Sequence, residues 1–228
     1  MKILVTAAEQ QEIDRALKAY ESVKDKIAGD VEIVFRLTGI GAVNACYCVM
    51  REIWSARAEG KPYDLVINMG IAGSYDLDEF PIASAAIISK EYFGDLGFDT
   101  DKGFADLFRC GIIGKDEFPY TGGALARQLL PYPNVEEAIS RYKSGVGVTI
   151  QCITGDAARI DGLKKMYTPH IESMEGAAVY YAALMEGVPC FGLRTVSNVV
   201  GERDSRKWKT KEALDTLENC CREIFEIL

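Results

Sequence analysis

Short apolar runs alternate along this chain with segments in which apolar residues recur every three or four positions. The first pattern predicts buried β-strands, and the second predicts amphipathic helices. Strands are predicted at 2–6, 31–37, 64–69, 83–89, 146–153 and 189–197. Helices are predicted at 9–26, 43–57, 121–130, 156–166, 176–186 and from 214 to 228. Residues 90–120, rich in glycines and acids, are expected to form a long functional loop with room for short strands.

The alternation of strands and helices predicts an α/β layer structure around a central mixed sheet. No internal repeat, low-complexity segment or linker divides the sequence. With 228 residues and 48% hydrophobic content, the chain can build one sizeable core or at most two small ones. We therefore expect residues 1–228 to form a single domain.

Five loops are predicted to meet at one edge of this sheet, because ligands in such folds bind beyond the carboxyl ends of the strands. Small residues in two of the loops would let a ligand approach the backbone, and the other three carry a polar residue. The loops are 7–12, 39–41, 70–74, 174–175 and 197–198.

Glu175 lies where a short predicted strand passes into a helix. Backbone N–H groups are unpaired at such a junction, and the small residues Gly176 and Ala177 leave room for a ligand. The two oxygens of a carboxylate in this place can accept hydrogen bonds from two adjacent hydroxyls. The simpler alternative is an acid that is merely favourable in the first turn of a helix.

Composition narrows the possible partners. The net charge is −8 and the basic residues are scattered, which argues against nucleic acid or an anionic membrane surface. Seven cysteines without a C-x-x-C spacing, together with a single histidine, leave little for a metal site. Free thiols favour a reducing cytoplasm. Neither a signal peptide nor a membrane-spanning run is recognisable.

Five motifs occur in the order seen in the nucleoside phosphorylase/nucleosidase superfamily, and the resemblance spans almost the whole chain. The motifs are Gly39-Ile-Gly41, Asn68-Met-Gly-Ile-Ala-Gly73, Thr154-Gly-Asp156, Ser173-Met-Glu-Gly-Ala177 and Arg194-Thr-Val-Ser-Asn198. They look like the branch that holds the methylthioadenosine/S-adenosylhomocysteine nucleosidases and the futalosine hydrolases. The resemblance implies a three-layer α/β/α sandwich with a central mixed, partly barrel-like sheet, a homodimer or higher homo-oligomer, and cleavage of a nucleoside N-glycosidic bond without metal or cofactor.

The resemblance also implies roles for single residues. Met174 matches the residue packed under the sugar, and Glu175 matches the carboxylate that binds its 2′- and 3′-hydroxyls. Glu12 matches the glutamate that activates water, with Glu9 as the rival at this position. Asp156 is expected to cap a helix rather than to take part in catalysis. Gly73 and Ile153 fall in loops that would contact the substrate.

The first loop, 7–12, bears on the choice between hydrolysis and phosphorolysis. Phosphorylases of this superfamily bind phosphate with arginines, whereas this loop is acidic and the first arginine after it is Arg15. An acidic loop would repel phosphate, but its carboxylate could polarise water. Hydrolysis is therefore the predicted reaction.

Asn198 departs from the adenine-specific nucleosidases, which carry aspartate at this position. The amide NH₂ could donate to a 6-oxo group while its carbonyl accepts from a protonated N7, which points to hypoxanthine or guanine. The alternative is an asparagine that serves a turn after the last strand. Arg203, Arg206 and Trp208 are expected on a lid loop before the last helix, with Arg206 read as a surface residue.

The predicted function is hydrolysis of a 6-oxopurine nucleoside of the kind that futalosine hydrolases cleave. The rivals are an adenine-releasing nucleosidase, a phosphate-dependent phosphorylase and, from a different class, a nucleoside-binding protein without turnover. Each rival is distinguished by the product it releases or by its need for phosphate.

Overall fold

The computed structural model describes residues 1–101 and 103–228. The strands are β1 (Lys2–Ala7), β2 (Glu32–Leu37), β3 (Leu65–Ser74), β4 (Ala85–Phe93), β5 (Gly97–Thr100), β6 (Gly103–Asp106), β7 (Leu125–Ala126), β8 (Lys143–Thr149), β9 (Ile171–Ser173) and β10 (Cys190–Val199). The helices are α1 (Gln10–Val23), α2 (Ala42–Ala58), α3 (Pro133–Ser140), α4 (Ala157–Tyr167), α5 (Gly176–Met185) and α6 (Thr210–Phe225).

A mixed sheet of eight strands forms the centre of the molecule. Its strand order is β10-β4-β8-β9-β3-β1-β2, with β7 added beside β4. A further parallel pairing joins β10 to β3, so five of the strands close on themselves and give the sheet a barrel-like part. β5 and β6 form a separate antiparallel hairpin.

Side chains of the central strands alternate between two hydrophobic cores, as the period of two along a strand requires. Ile3 and Val5 of β1 pack in the core that contains α1, α3 and α6. Leu4, between them, packs in the core beneath α2 and α5. The sheet therefore lies between two layers of helices, and the expected three-layer α/β/α sandwich with a partly barrel-like sheet is confirmed.

The predicted helix at 121–130 is wrong. Gly122 and Gly123 have φ angles of +58° and +79°, which a right-handed helix cannot accommodate. Leu125 and Ala126, which supplied the apolar spacing, pair with β4 as the short strand β7. The helix of this region, α3, begins later, with Pro133 in its first turn. Proline is tolerated there because the backbone N–H groups of the first turn have no partner within the helix.

Residues 90–120 contain more regular structure than a long loop. β4 continues to Phe93, and the β5–β6 hairpin follows. Lys102 lies outside the described residues. Among the helices in the described ranges, none combines the length and the apolar character needed to cross a membrane.

Candidate active site

One cavity opens where the loop after β1 and the last residues of β3 and β10 meet the junction between β9 and α5. All five segments predicted to converge contribute to it, although 70–74 and 197–198 belong to β3 and β10 and are not loops. Its wall includes four isoleucines and four carboxylates: Ile40, Ile71, Ile150, Ile153, Glu9, Glu12, Glu172 and Glu175. Within the described part of the chain, the wall contains neither lysine nor arginine.

Glu12 is the most deeply held of the acids contributed by the first loop. It is the third residue of α1, and its side chain folds back to accept hydrogen bonds from the N–H groups of Ala8 at 3.1 Å and Glu9 at 3.0 Å. Its other oxygen accepts from the N–H of Ile71 at 2.8 Å. Burial raises the pKa of Glu12 to about 6, and these hydrogen bonds limit the rise.

The close packing of Glu12 depends on a glycine in β3. A Cβ atom at Gly70 would lie 2.7 Å from Oε1 of Glu12, which is closer than a real contact permits. Glu9, the rival candidate, also borders the cavity, but its side chain is exposed to solvent. The geometry therefore favours Glu12 as the acid that faces a reacting group in a dry environment.

Glu175 stands at the N-cap position of α5. Its Oε1 accepts a hydrogen bond of 2.8 Å from the N–H of Gly41, in the glycine loop before α2. Gly41 has a φ of +95°, a conformation that favours glycine and that turns this N–H toward the carboxylate. Burial raises the pKa of Glu175, while Gly41 and the buried Arg194 oppose the rise.

Met174 borders the cavity beside Glu175, and Gln151 secures the backbone around both. The side chain of Gln151 accepts from the N–H of Ala42 at 3.2 Å and donates to the carbonyl of Met174 at 3.4 Å. The first turn of α2 and the start of α5 are thereby held together. Met174 supplies an apolar surface next to a carboxylate, which suits the face and the hydroxyls of a sugar.

Asn198 lies on the opposite wall, at an irregularity in the pairing of β10 with β3. Its Oδ1 accepts from the hydroxyl of Ser197 at 2.8 Å, and its Nδ2 donates to the carbonyl of Val199 at 3.0 Å. One hydrogen of the amide and one lone pair of its oxygen are left for a ligand. The side chain can therefore donate and accept at the same time.

The remaining predicted site residues divide into two groups. Gly73, Ile153 and Trp208 border the cavity, and the Trp208 indole N–H donates to the carbonyl of Glu202 at 3.0 Å. Arg203 is not part of the wall. Its guanidinium reaches the carbonyl of Ile153 at 3.4 Å, and its side chain packs over Gly155.

Two residues outside the wall match their expected roles. Arg206 is exposed and pairs with Asp204, as expected of a surface residue. Asp156 caps α4 by accepting from the N–H of Arg159 at 2.9 Å, so that prediction is confirmed.

Three buried charged residues near the site were not singled out from the sequence. Arg194 is 2% exposed and bonds to the carbonyl of Asn68 at 3.1 Å and to the side-chain oxygen of that residue. Its charge lowers the pKa of Glu12, Glu91 and Glu175 against the effect of burial. Glu91 lies under the start of α5, where burial raises its pKa to about 7.

The third of these residues is Glu172, a wall residue in β9. It could have been noticed as a charge within a strand that is otherwise buried. Among the described residues, no group of three or more histidine, cysteine, aspartate or glutamate side chains is arranged to hold a metal ion.

Comparison with known proteins agrees with this architecture. A family model described as "Phosphorylase superfamily" matches residues 3–228. The chain therefore belongs to the phosphorylase superfamily. A solved structure of futalosine hydrolase from Helicobacter pylori has the same fold, with a TM-score of 0.79 and 18% identity over 100% of this chain and 98% of that one.

Curated relatives show to which family within the superfamily the chain belongs. A futalosine hydrolase from Streptomyces coelicolor is 29% identical over 239 residues, which cover 100% of this chain and 97% of the relative. Another from Thermus thermophilus is 31% identical over 200 residues, which cover 84% of this chain and 80% of the relative. Within the superfamily, the chain is thus a member of the futalosine hydrolase family, whose members are N-glycosidic hydrolases, that is, nucleosidases.

Proposed function

We propose that this enzyme hydrolyses futalosine to hypoxanthine and dehypoxanthinyl futalosine, a reaction of menaquinone biosynthesis. The observation that carries the proposal is the cavity wall, which combines a buried carboxylate at Glu12 with a neutral amide at Asn198. The names of the curated relatives support the choice of substrate.

The sugar is held at the end of the cavity formed by Met174 and Glu175. One oxygen of Glu175 is fixed by the N–H of Gly41, which leaves its other oxygen and further lone pairs for the 2′- and 3′-hydroxyls. Met174 packs against the ring. Binding in this way fixes the anomeric carbon in front of the attacking water.

Glu12 is the general base in the proposed mechanism. As the glycosidic bond lengthens, positive charge develops on the sugar, and nearby carboxylates stabilise it. Glu12 takes a proton from water while the water oxygen bonds to the anomeric carbon and the bonding electrons leave with the base. A pKa of about 6 keeps Glu12 ionised at neutral pH but basic enough to accept that proton.

Asn198 holds the departing base. Its free N–H donates to the 6-oxo oxygen, and its carbonyl accepts from N7 once N7 is protonated. The hydrogen bond to the 6-oxo oxygen strengthens as negative charge moves onto the purine, and the one from N7 forms when the departing base takes up a proton from solvent water. A 6-amino group would instead meet a donor, which favours hypoxanthine over adenine.

Water rather than phosphate is the proposed attacking group. The four carboxylates of the wall would repel an anion, and the described wall residues supply no cationic side chain to bind one. The wall composition therefore favours hydrolysis over phosphorolysis.

Product analysis tests this function. Purified enzyme is incubated with futalosine, inosine or methylthioadenosine, each with and without inorganic phosphate, and the bases and sugars are separated and identified. We expect hypoxanthine and an unphosphorylated sugar product from futalosine at the same rate in both conditions. Release of adenine from methylthioadenosine as the fastest reaction, or a strict need for phosphate, would contradict the proposal.

The proposal includes a homodimer. The first turns of α2 expose large apolar side chains at Val43, which is 79% exposed, and Tyr47, and a shallow apolar hollow beside them continues to Tyr181 of α5. This surface adjoins the loop of Gly41, so a second copy seated there would stiffen the sugar end of the cavity.

Light scattering during size exclusion measures the assembly. We expect twice the 25.1 kDa mass of one chain for the wild type. The Val43→Glu variant should shift toward the monomer. The matched control is Leu129→Glu, because Leu129 is 78% exposed but is not part of this surface. A monomeric wild type would overturn the dimer. The proposed location is the cytoplasm, which the seven free cysteines favour.

A further inference from the structure

Glu172 is a buried acid of the cavity wall that the mechanism above does not use. It is 6% exposed and borders the cavity from β9. The hydroxyl of Tyr75 donates to its Oε2 at 2.6 Å, and the N–H of Thr154 donates to its Oε1 at 3.2 Å. The carboxylate is thus oriented by two donors, and each oxygen keeps a lone pair for a third partner.

The strand register places Glu172 in one row with Asn198. Gly73 of β3 pairs with Glu172 of β9 on one side and with Asn198 of β10 on the other. Directly paired residues of neighbouring strands point to the same face of a sheet. Since neighbouring strands lie about 4.8 Å apart, the two outer residues of the row are separated by roughly 10 Å between their Cα atoms.

Gly73, in the middle of this row, also borders the cavity. An added Cβ there would lie 3.3 Å from Nδ2 of Asn198 and 3.0 Å from a methyl group of Val200. The glycine therefore lets Asn198 and Val200 pack close to β3 without a clash. Because Glu172, Gly73 and Asn198 all border one cavity, an aromatic edge in that cavity can lie along the row with one end at each polar group.

The edge of a 6-oxopurine carries N7, the 6-oxo oxygen and N1–H in this order. With N7 and the oxygen at Asn198, the other end of the edge points along the row toward Glu172. N1–H is a donor, and an ionised carboxylate only accepts. We infer that Glu172 accepts a hydrogen bond from N1–H of the purine and is a second residue that selects hypoxanthine.

This assignment explains rejection of adenine more fully than Asn198 alone. N1 of adenine has a lone pair and no hydrogen. It would therefore place one hydrogen-bond acceptor against another, the Glu172 carboxylate, and no hydrogen bond could form. A site that leaves a buried polar group unpaired with the wrong substrate discriminates by about 10⁴-fold or more. The inference rests on the proposed function, because it assumes that a purine base occupies this end of the cavity.

The test compares the wild type with Glu172→Gln on a matched pair of nucleosides that share one sugar and carry hypoxanthine or adenine. The glutamine NH₂ can donate to N1 of adenine, so we expect the ratio of kcat/KM for hypoxanthine over adenine to fall by at least about 10-fold, in line with one buried hydrogen bond. Tyr75→Phe is the matched control, since it removes a donor to Glu172 but keeps the carboxylate. It should lower both activities alike.

A second measurement needs no variant. Inhibition of the wild type by hypoxanthine is compared with inhibition by 1-methylhypoxanthine, in which a methyl group replaces the hydrogen on N1. We expect the methylated base to bind at least about 10-fold more weakly, because it loses the same hydrogen bond. In Glu172→Gln, a smaller difference in affinity between hypoxanthine and 1-methylhypoxanthine would directly support the contact between Glu172 and N1–H.

The outcomes separate this inference from the function on which it rests. Release of hypoxanthine by the wild type, with an unchanged substrate ratio in Glu172→Gln and equal inhibition by the two bases, would overturn the role of Glu172 alone. A change of the ratio as large in Tyr75→Phe as in Glu172→Gln would also overturn it. Failure of the wild type to cleave any purine nucleoside would overturn the proposed function and the inference together.

Discussion

The two ends of the cavity hold their polar groups in different ways. At the sugar end, Glu12 and Glu175 lie at the starts of α1 and α5, and each accepts a hydrogen bond from a distant backbone N–H, that of Ile71 in β3 or of Gly41 before α2. At the base end, Asn198 and Glu172 project from β10 and β9, which pair with β3 on its two sides. The sugar end thus depends on loop conformation, and the base end depends on strand register.

The electrostatics of the two ends differ as well. Burial raises the pKa of both sugar-end carboxylates, and the backbone hydrogen bonds from Ile71 and Gly41, together with the buried charge of Arg194, oppose the rise. The base end places a neutral amide and a carboxylate on the two strands that pair with Gly73. The comparison teaches that the sugar end is suited to proton transfer and charge stabilisation, whereas the base end is suited to reading donors and acceptors.

The largest effect is expected from Glu12→Gln. The amide keeps the size of the side chain but cannot take a proton from water, so kcat should fall by about 10²–10⁴-fold while binding of substrate changes little. Steady-state kinetics and inhibitor affinity measure the two quantities. Glu9→Gln is the control, and full activity in Glu12→Gln with loss in Glu9→Gln would make Glu9 the base.

Glu175→Gln should have the next largest effect. Loss of charge-assisted hydrogen bonds to the sugar hydroxyls costs about 1.5–3 kcal/mol, or roughly 10- to 150-fold in affinity for a ribose-containing inhibitor. Affinity for free hypoxanthine, which lacks the sugar, should change much less. Equal losses for both ligands, measured by calorimetry, would mean that Glu175 does not bind the sugar.

A smaller effect on kcat/KM is expected when the pH is lowered by one unit. The Glu12 carboxylate must be ionised to accept a proton, and its pKa is raised to about 6, so kcat/KM should fall about tenfold for each pH unit below 6. The residual activity of Glu12→Gln should lack this acid limb. An acid limb centred near pH 4.5 in the wild type, or one that persists near pH 6 in the variant, would show that Glu12 does not determine the pH profile.

The sugar end could be predicted from the sequence more completely than the base end. Met174-Glu175 and the first loop are contiguous motifs whose positions after strands indicate a ligand site. The row of Glu172, Gly73 and Asn198 depends on pairings between residues that are distant along the chain, and β9 is only three residues long. A single sequence does not show which strand lies beside which, so Glu172 was not recognised.

Local patterns also account for the errors. The apolar spacing at 121–130 fits a helix, but two glycines with positive φ and a β-pairing replace it. Arg203 was expected on a lid loop between the last strand and the last helix, where an arginine could meet the substrate. Its side chain instead turns to the loop of Ile153 and Gly155. In both cases a tertiary contact decides the conformation.

The central claim is that residues at the sugar end determine the rate of turnover, whereas residues at the base end determine which purine is accepted. The direct test is the ratio of kcat/KM for hypoxanthine and adenine nucleosides with the same sugar, measured in the wild type, Glu12→Gln and Asn198→Asp. We expect Glu12→Gln to lower both values and preserve the ratio, and Asn198→Asp to shift the ratio toward adenine by about 1–3 kcal/mol, or roughly 5- to 150-fold. A ratio changed by Glu12→Gln, or unmoved by Asn198→Asp, would contradict the account.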